Sequence, residues 1–327
     1  MNNRSAGIDA LRIVGVLAVI AGHVWTKNDT LEAVIYPWHV PVFFFLTGYL
    51  WSSKRGIREE WATRKLSLAQ PYVAWFAIIM VAFVGRQLLT GTLNPKGDLV
   101  QMYGGAAATR PFTTFWFVSA LLATILLYRL ISRLHLGLQW GIAGAGVALG
   151  VVAGGILAYT PLAVGAALPC LVFLVAGRTA RLLRGRVRFG ILAGTGMVVA
   201  AGVAVATGLS AVPTFKIGDY GTPVLSSVVA IVASFGLLLI FERLLSAAPP
   251  RAAATISSLA VPAIAVVLLH PVVLWLLHTP AEGRWVDFLL AVSIPWVVAM
   301  VAYRSPLALW LVGTRPAQAE RVLANAR

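Results

Sequence analysis

Gly7-Ile8-Asp9-Ala10-Leu11-Arg12-Ile13-Val14-Gly15-Val16-Leu17-Ala18-Val19-Ile20-Ala21-Gly22-His23-Val24 is an apolar stretch of membrane-spanning length that carries three ionisable side chains. Such groups are costly at membrane depth and mark function by default. Arg12 and His23 are eleven positions apart. At about 100° and 1.5 Å per residue, a helix sets them within roughly 20° of one face and about 16 Å apart in depth. Asp9 stands one turn before Arg12, where it can pair with it. Gly15, Ala18 and Gly22 lie beside this stripe and admit a close neighbour, so the helix belongs in the interior. It has Asp9 and Arg12 and no small-x-small cleavage site before Trp25-Thr26-Lys27, so it reads as a retained anchor and not a signal peptide.

Composition places the other segments in the same solvent. Of 327 residues 59% are hydrophobic and 11% charged, against about a quarter charged in soluble domains. Apolar runs long enough to cross a core of about 30 Å fall at 8–27, 35–51, 69–90, 112–133, 138–158, 161–179, 188–208, 221–245, 256–278 and 285–303, the second of them short, as if tilted little or entered from a re-entrant loop. The expectation is an all-α, polytopic integral membrane protein with about ten transmembrane helices. With the N-terminus inside, 20 of the 26 Lys and Arg fall on inner segments, which places both termini in the cytoplasm. The net charge of +15 is then accounted for by topology and by anionic inner-leaflet lipid, with no nucleic acid partner. Cys170 is a single cysteine in an apolar run, which excludes an internal disulfide and gives no metal cluster; its reading is packing.

The sequence is most specific at Pro37-Trp38-His39-Val40-Pro41-Val42-Phe43-Phe44-Phe45-Leu46-Thr47-Gly48-Tyr49-Leu50. With Asp9-Ala10-Leu11-Arg12 and His23, it resembles the membrane-bound acyltransferase 3 family, whose first helix carries Arg, ten residues and His. The family's second helix has an aromatic trio followed by Ser-Gly; here Thr47 takes the serine position. Phe115-Trp116-Phe117-Val118-Ser119-Ala120-Leu121 and Val267-Leu268-Leu269-His270-Pro271 extend the likeness over most of the chain. One departure is at Arg64, which is followed three residues later by Ser67 where family members often have a second arginine. Either Lys65 substitutes or that site is weaker.

The resemblance implies a single acyltransferase-3-like transmembrane domain over residues 1–327 with no appended soluble domain, nearest the fucose 4-O-acetylase-like branch. It implies an O-acyltransferase of the bacterial cytoplasmic (inner) membrane. The acyl group, most often acetyl, would move from cytoplasmic acetyl-CoA or another acyl-CoA to a hydroxyl of a sugar, glycolipid or other small acceptor. The acyl-CoA is a co-substrate, and no bound cofactor or metal is expected. His23 would be the general base, with Arg12 and Asp9 completing the catalytic set. Arg12, Arg64 and Lys65 would meet the donor; His39, Trp116 and His270 would bind or support the acceptor.

Bland readings stand beside these. His23 near a helix end can face interfacial water, His39 can cap at the boundary beside Trp38, and Trp116 can belong to an aromatic belt. His270 can satisfy carbonyls freed by Pro271, and His135 and His278 read as loop or interface residues. Direct transfer and an acyl-histidine route both remain open. A multi-pass transporter of a small polar or anionic solute would also bury Arg, Asp and His, although no paired, interrupted helices occur in corresponding halves.

Overall fold

The computed structural model describes residues 5–187 and 189–314. Arg4, Arg188, Arg315, Arg321 and Arg327, all assigned to the inner side, and both termini lie outside the described residues. The helices run α1 (Ala6–Val24), α2 (Asp29–Ile35), α3 (Pro41–Tyr49), α4 (Ile57–Arg64), α5 (Gln70–Thr90), α6 (Pro95–Tyr103), α7 (Phe115–Ile131), α8 (Leu136–Ala158), α9 (Ala167–Leu183), α10 (Gly190–Ala206), α11 (Leu225–Leu244), α12 (Pro250–Ala260), α13 (Ala263–Leu276), α14 (Trp285–Arg304) and α15 (Ala308–Leu311). Among the described residues there is no strand beyond one isolated bridge, Thr214 with Asp219.

Helix α1 is interior, as its small-residue stripe requires. It packs against α3, α11, α12, α13 and α14, and Leu11, Val16, Ile20 and Val24 are fully buried. The small residues seat aromatic rings: Gly15 faces Phe43 and Gly22 faces Tyr36. Gly48 has a comparable task on α3, since a Cβ there would strike the Leu174 carbonyl of α9, and one on Gly177 of α9 would strike the Phe45 carbonyl. The Thr-Gly-Tyr end of the second motif is thus a close helix crossing. Tyr49 then closes the end of α3 with a hydrogen bond to Glu242 at 3.0 Å.

Proline divides two of the expected spans. The run 35–51 is not one helix: Pro37 and Pro41 interrupt the ladder, because proline has no N–H to give and disfavours a helical residue before it. Pro41 instead opens α3. Helix α3 has nine residues, about 14 Å long, which is half a bilayer core. The run 256–278 is bent by 55° between α12 and α13, where Pro262 stands.

Six helices are long and apolar enough to cross a membrane, or seven if the bent pair is one span; α7 and α10 are apolar but shorter. One of the six is a 34-residue helix, Ile57–Thr90, formed by α4, α5 and a wide π turn over Lys65–Ala69. Pro71 cannot donate to Ser67, and the Gln70 N–H reaches back to Lys65. The extra residue rotates the helix between Arg64 and Ser67.

Candidate active site

Two chambers open along the Arg12–His23 stripe of α1. The first, about 440 Å³, is lined by Arg12 and Val16 of α1, Thr47 of α3, Arg64, Ser67 and Leu68 around the π turn, and the segment Val312–Thr314, among others. Its walls are mainly apolar, and both lining arginines are anchored behind it. Arg12 Nη1 donates to Asp9 Oδ1 at 3.1 Å, and Ser257 Oγ of α12 donates to Asp9 Oδ2 at 2.7 Å. Arg64 Nε donates to Glu60 at 2.7 Å, and Arg129 donates to the other Glu60 oxygen. Asp9 and Glu60 are both fully buried. Asp9 faces the Arg12 guanidinium, as a low-dielectric site demands, whereas Glu60 is shared by Arg64, Arg129 and Arg55 and leaves that cluster net positive. Thr47 donates to the Phe43 carbonyl at 2.8 Å and so serves its own helix while lining the cavity.

The second chamber, about 110 Å³, is lined by Val19 and His23 of α1, Tyr36, His39, Val40 and Phe43, Thr114, Trp116 and Phe117 of the α7 entrance, Val267 of α13, and Pro213–Lys216 of the α10–α11 connection. His39 sits in the break between α2 and α3, so the prolines that interrupt the predicted span also place this imidazole. Its Nδ1 donates to the Ile35 carbonyl at 3.0 Å. His270 is fully buried on α13 behind the chamber, its ring 5.3 Å from that of His23. His270 Nδ1 donates to the Val266 carbonyl at 3.3 Å, and Nε2 has no hydrogen-bond partner among the described residues. Because a carbonyl only accepts, these bonds fix the proton on Nδ1 of both rings and leave Nε2 as the acceptor when the rings are neutral.

Phe43, Phe117 and Val267 line both chambers. The two rings meet edge to face, with centroids 5.4 Å apart. Cation-lined and imidazole-lined spaces therefore touch through an apolar partition.

The structure brings Arg12 and Arg64 to the first chamber, and His23, His39 and Trp116 to the second. Asp9 and His270 stand behind Arg12 and His23, respectively. Lys65 is not brought in: the π turn leaves it exposed and puts Ser67 on the cavity. His135 caps α8, accepting from the Leu138 N–H at 3.1 Å, and His278 pairs with Arg86 at 3.2 Å. Cys170 is buried.

Three groups escaped the sequence reading. Glu60 looks like one acid in a polar turn until folding collects arginines around it. Arg110, just before Pro111, donates to the His23 carbonyl and, at 3.1 Å, to the Thr279 carbonyl, pinning the end of α1 to the end of α13. Lys216 donates to the Ala108 carbonyl at 2.6 Å and to Thr113 Oγ1 at 2.7 Å. Burial pushes its ammonium down to about 8. The one available signal was a basic residue within Pro213-Thr214-Phe215-Lys216, in a connection otherwise poor in charge.

A family model described as an acyltransferase domain matches residues 5–312. Nodulation protein NolL of Sinorhizobium fredii (strain NBRC 101917 / NGR234) is 25% identical over 169 residues, covering 46% of this chain and 43% of that protein. The chain thus matches less than half the length of this curated relative. No solved structure matches the chain.

Proposed function

We propose that the chain, which belongs to the acyltransferase 3 family, is a membrane acyltransferase that moves an acetyl group from cytoplasmic acetyl-CoA to a hydroxyl of a sugar, a lipid-linked glycan or another small acceptor. The observation that carries this reading is the pair of chambers meeting at Phe43, Phe117 and Val267 along one helix face. A volume of 440 Å³ is within the range for a small organic ligand. Arg12 and Arg64 would draw the donor's phosphates to that end, and the apolar partition suits its pantetheine arm. The second chamber, 110 Å³ against 440 Å³, is the smaller of the two, which favours a short acyl group.

His23 acts as general base in this proposal. Its neutral imidazole takes the acceptor hydroxyl proton as the oxygen adds to the thioester carbonyl, and the proton then passes to the departing thiolate. His39 and Trp116 line the space the acceptor would enter, with the buried His270 ring beside His23. Asp9 holds Arg12 in place.

The donor path requires opposite faces for the two ends, and we propose ten crossings, that of 35–51 made by α3 with the turn before it and not by one full helix, with both termini and the segments 52–68 and 178–188 cytoplasmic. Cysteines introduced at Arg184 and at Lys96 should label from opposite sides of the membrane. Labelling from one side removes the oriented path. The chemistry is tested by incubating membranes with and without the protein with labelled acetyl-CoA. Alkali-labile label in glycans or lipids is expected only with the protein; uptake of a solute without acetyl turnover would favour a transporter.

A further inference from the structure

We propose that the Lys216 ammonium stabilises the oxyanion of the tetrahedral intermediate formed when the acceptor hydroxyl adds to the thioester carbonyl. The inference rests on the acyl-transfer reading above and deepens it. Lys216 is a cation on the wall of the small chamber that also holds His23. Both of its hydrogen bonds among the described residues are to neutral oxygens, Ala108 O and Thr113 Oγ1. This contrasts with Arg12 and Arg64, each of which has a carboxylate.

A half-buried ammonium supported by neutral oxygens gives the chamber a positive potential, and among the described residues no carboxylate lines it. A negative charge that appears only during reaction gains most from such a site, because a preorganised donor in a confined cavity need not reorient. Lys216 is preorganised from two sides. It sits on the single turn Phe215–Ile217, ended by Gly218 with φ +78°, and closed by Thr214 N–H to Asp219 O at 2.9 Å. Its neighbour Phe215 is buried edge to face on Phe173 and Tyr220, with centroids 5.7 and 5.5 Å away. The two hydrogen bonds of the ammonium then tie this turn to the segment leading into α7.

The step balances without another reactant. The acceptor O–H proton goes to His23, the new C–O bond forms, and the carbonyl π pair moves to oxygen beside Lys216. When the C=O bond re-forms, the C–S bond breaks and the thiolate of CoA takes the proton from His23. Lys216 stays protonated throughout. The other titratable groups around the chamber are His23, Tyr36 and His39, and Arg110 lies against the His23 carbonyl. An ammonium that titrates at about 8 is charged below that pH and neutral above it, so the maximal rate should fall on the alkaline side.

The test uses membranes containing the full chain as wild type, Lys216→Met and Lys216→Arg, with labelled acetyl-CoA and rates taken per folded molecule. Two products are followed: label in glycans or lipids, and acetate released when water is the acceptor, which passes through the same oxyanion. Lys216→Met should lower the maximal rate of both by about 10²-fold or more, with the KM for acetyl-CoA unchanged. Lys216→Arg should recover part of the rate and abolish the alkaline fall near pH 8. Unchanged maximal rates in the methionine variant, or loss of transfer with acetate release intact, would overturn the proposal; the latter makes Lys216 an acceptor anchor. If Lys216→Met does not fold, an alkaline fall that stays in place in Lys216→Arg overturns it equally. Wild-type membranes that do not turn over acetyl-CoA at all sink the acetyl-transfer reading itself.

Discussion

In the Arg12 chamber each guanidinium is fixed by a buried carboxylate, Arg12 by Asp9 and Arg64 by Glu60, whereas in the His23 chamber Lys216 rests on neutral oxygens among imidazoles. In the first arrangement the carboxylates fix the guanidinium groups, and Glu60, shared by Arg55, Arg64 and Arg129, leaves positive charge that can orient an anionic ligand without having to move. The second has no carboxylate on its ammonium and suits charge that arises during a reaction. Size divides them in the same sense, 440 Å³ against 110 Å³. In the proposed function one space holds the donor and the other hosts the reaction. Changes in the first should therefore act on the KM for donor, and changes in the second on the maximal rate.

The largest effect should come from His23→Gln. Glutamine keeps approximate size and hydrogen bonding but cannot take and release a proton at neutral pH. Transfer per folded molecule should fall roughly 10²–10⁴-fold, with donor binding retained when it is measured separately with labelled acetyl-CoA. Near-normal transfer would remove His23 as base and turn attention to His39 or His270. Loss of donor binding along with transfer would instead erase the contrast between the chambers.

An intermediate effect is expected at Arg12. Lys keeps the charge but loses the planar fork that grips Asp9 or a phosphate, and the exchange is not conservative at such a site. Arg12→Lys should raise the KM for acetyl-CoA by about tenfold, the equivalent of one well-made charged hydrogen bond, while the maximal rate changes far less. A drop confined to the maximal rate would place Arg12 with the chemistry. That result would contradict the division of labour.

How much of this was readable in the chain follows from how far each feature reaches in sequence. The Arg12–His23 stripe and the Asp9 pairing depend on helical periodicity within one element, and they were legible as such. The role of Gly48 was visible as a motif but not as a cause, because the reason for it lies on α9, at Leu174. Pro37 and Pro41 announced the broken second span, yet hydropathy over 35–51 hid it, since the turn at 36–40, which holds Tyr36, Trp38 and Val40, reads as apolar alongside α3. Lys216 was not legible as a site residue: its place beside His23 is set by the packing of Phe215 and by hydrogen bonds to residues more than a hundred positions earlier. Local pattern gives helices and their faces, while a connection that folds back over a cavity has no period to betray it.

The smallest effect separates two adjacent cations. Arg64 lines the larger chamber and is held by Glu60, whereas Lys65, next in sequence, is exposed because the π turn rotates the helix between them. Exposed substitutions away from caps, cores and ion networks stay within about 0.5 kcal/mol, roughly a factor of two. Lys65→Ala should therefore leave both the KM for acetyl-CoA and the maximal rate within about twofold of wild type. The measurement is a donor titration on membranes matched for folded protein. If the KM rises severalfold, Lys65 does take the place of the arginine that Ser67 replaces, reaching the donor from outside the cavity wall, and the Arg12 chamber would then extend past the π turn toward the aqueous face.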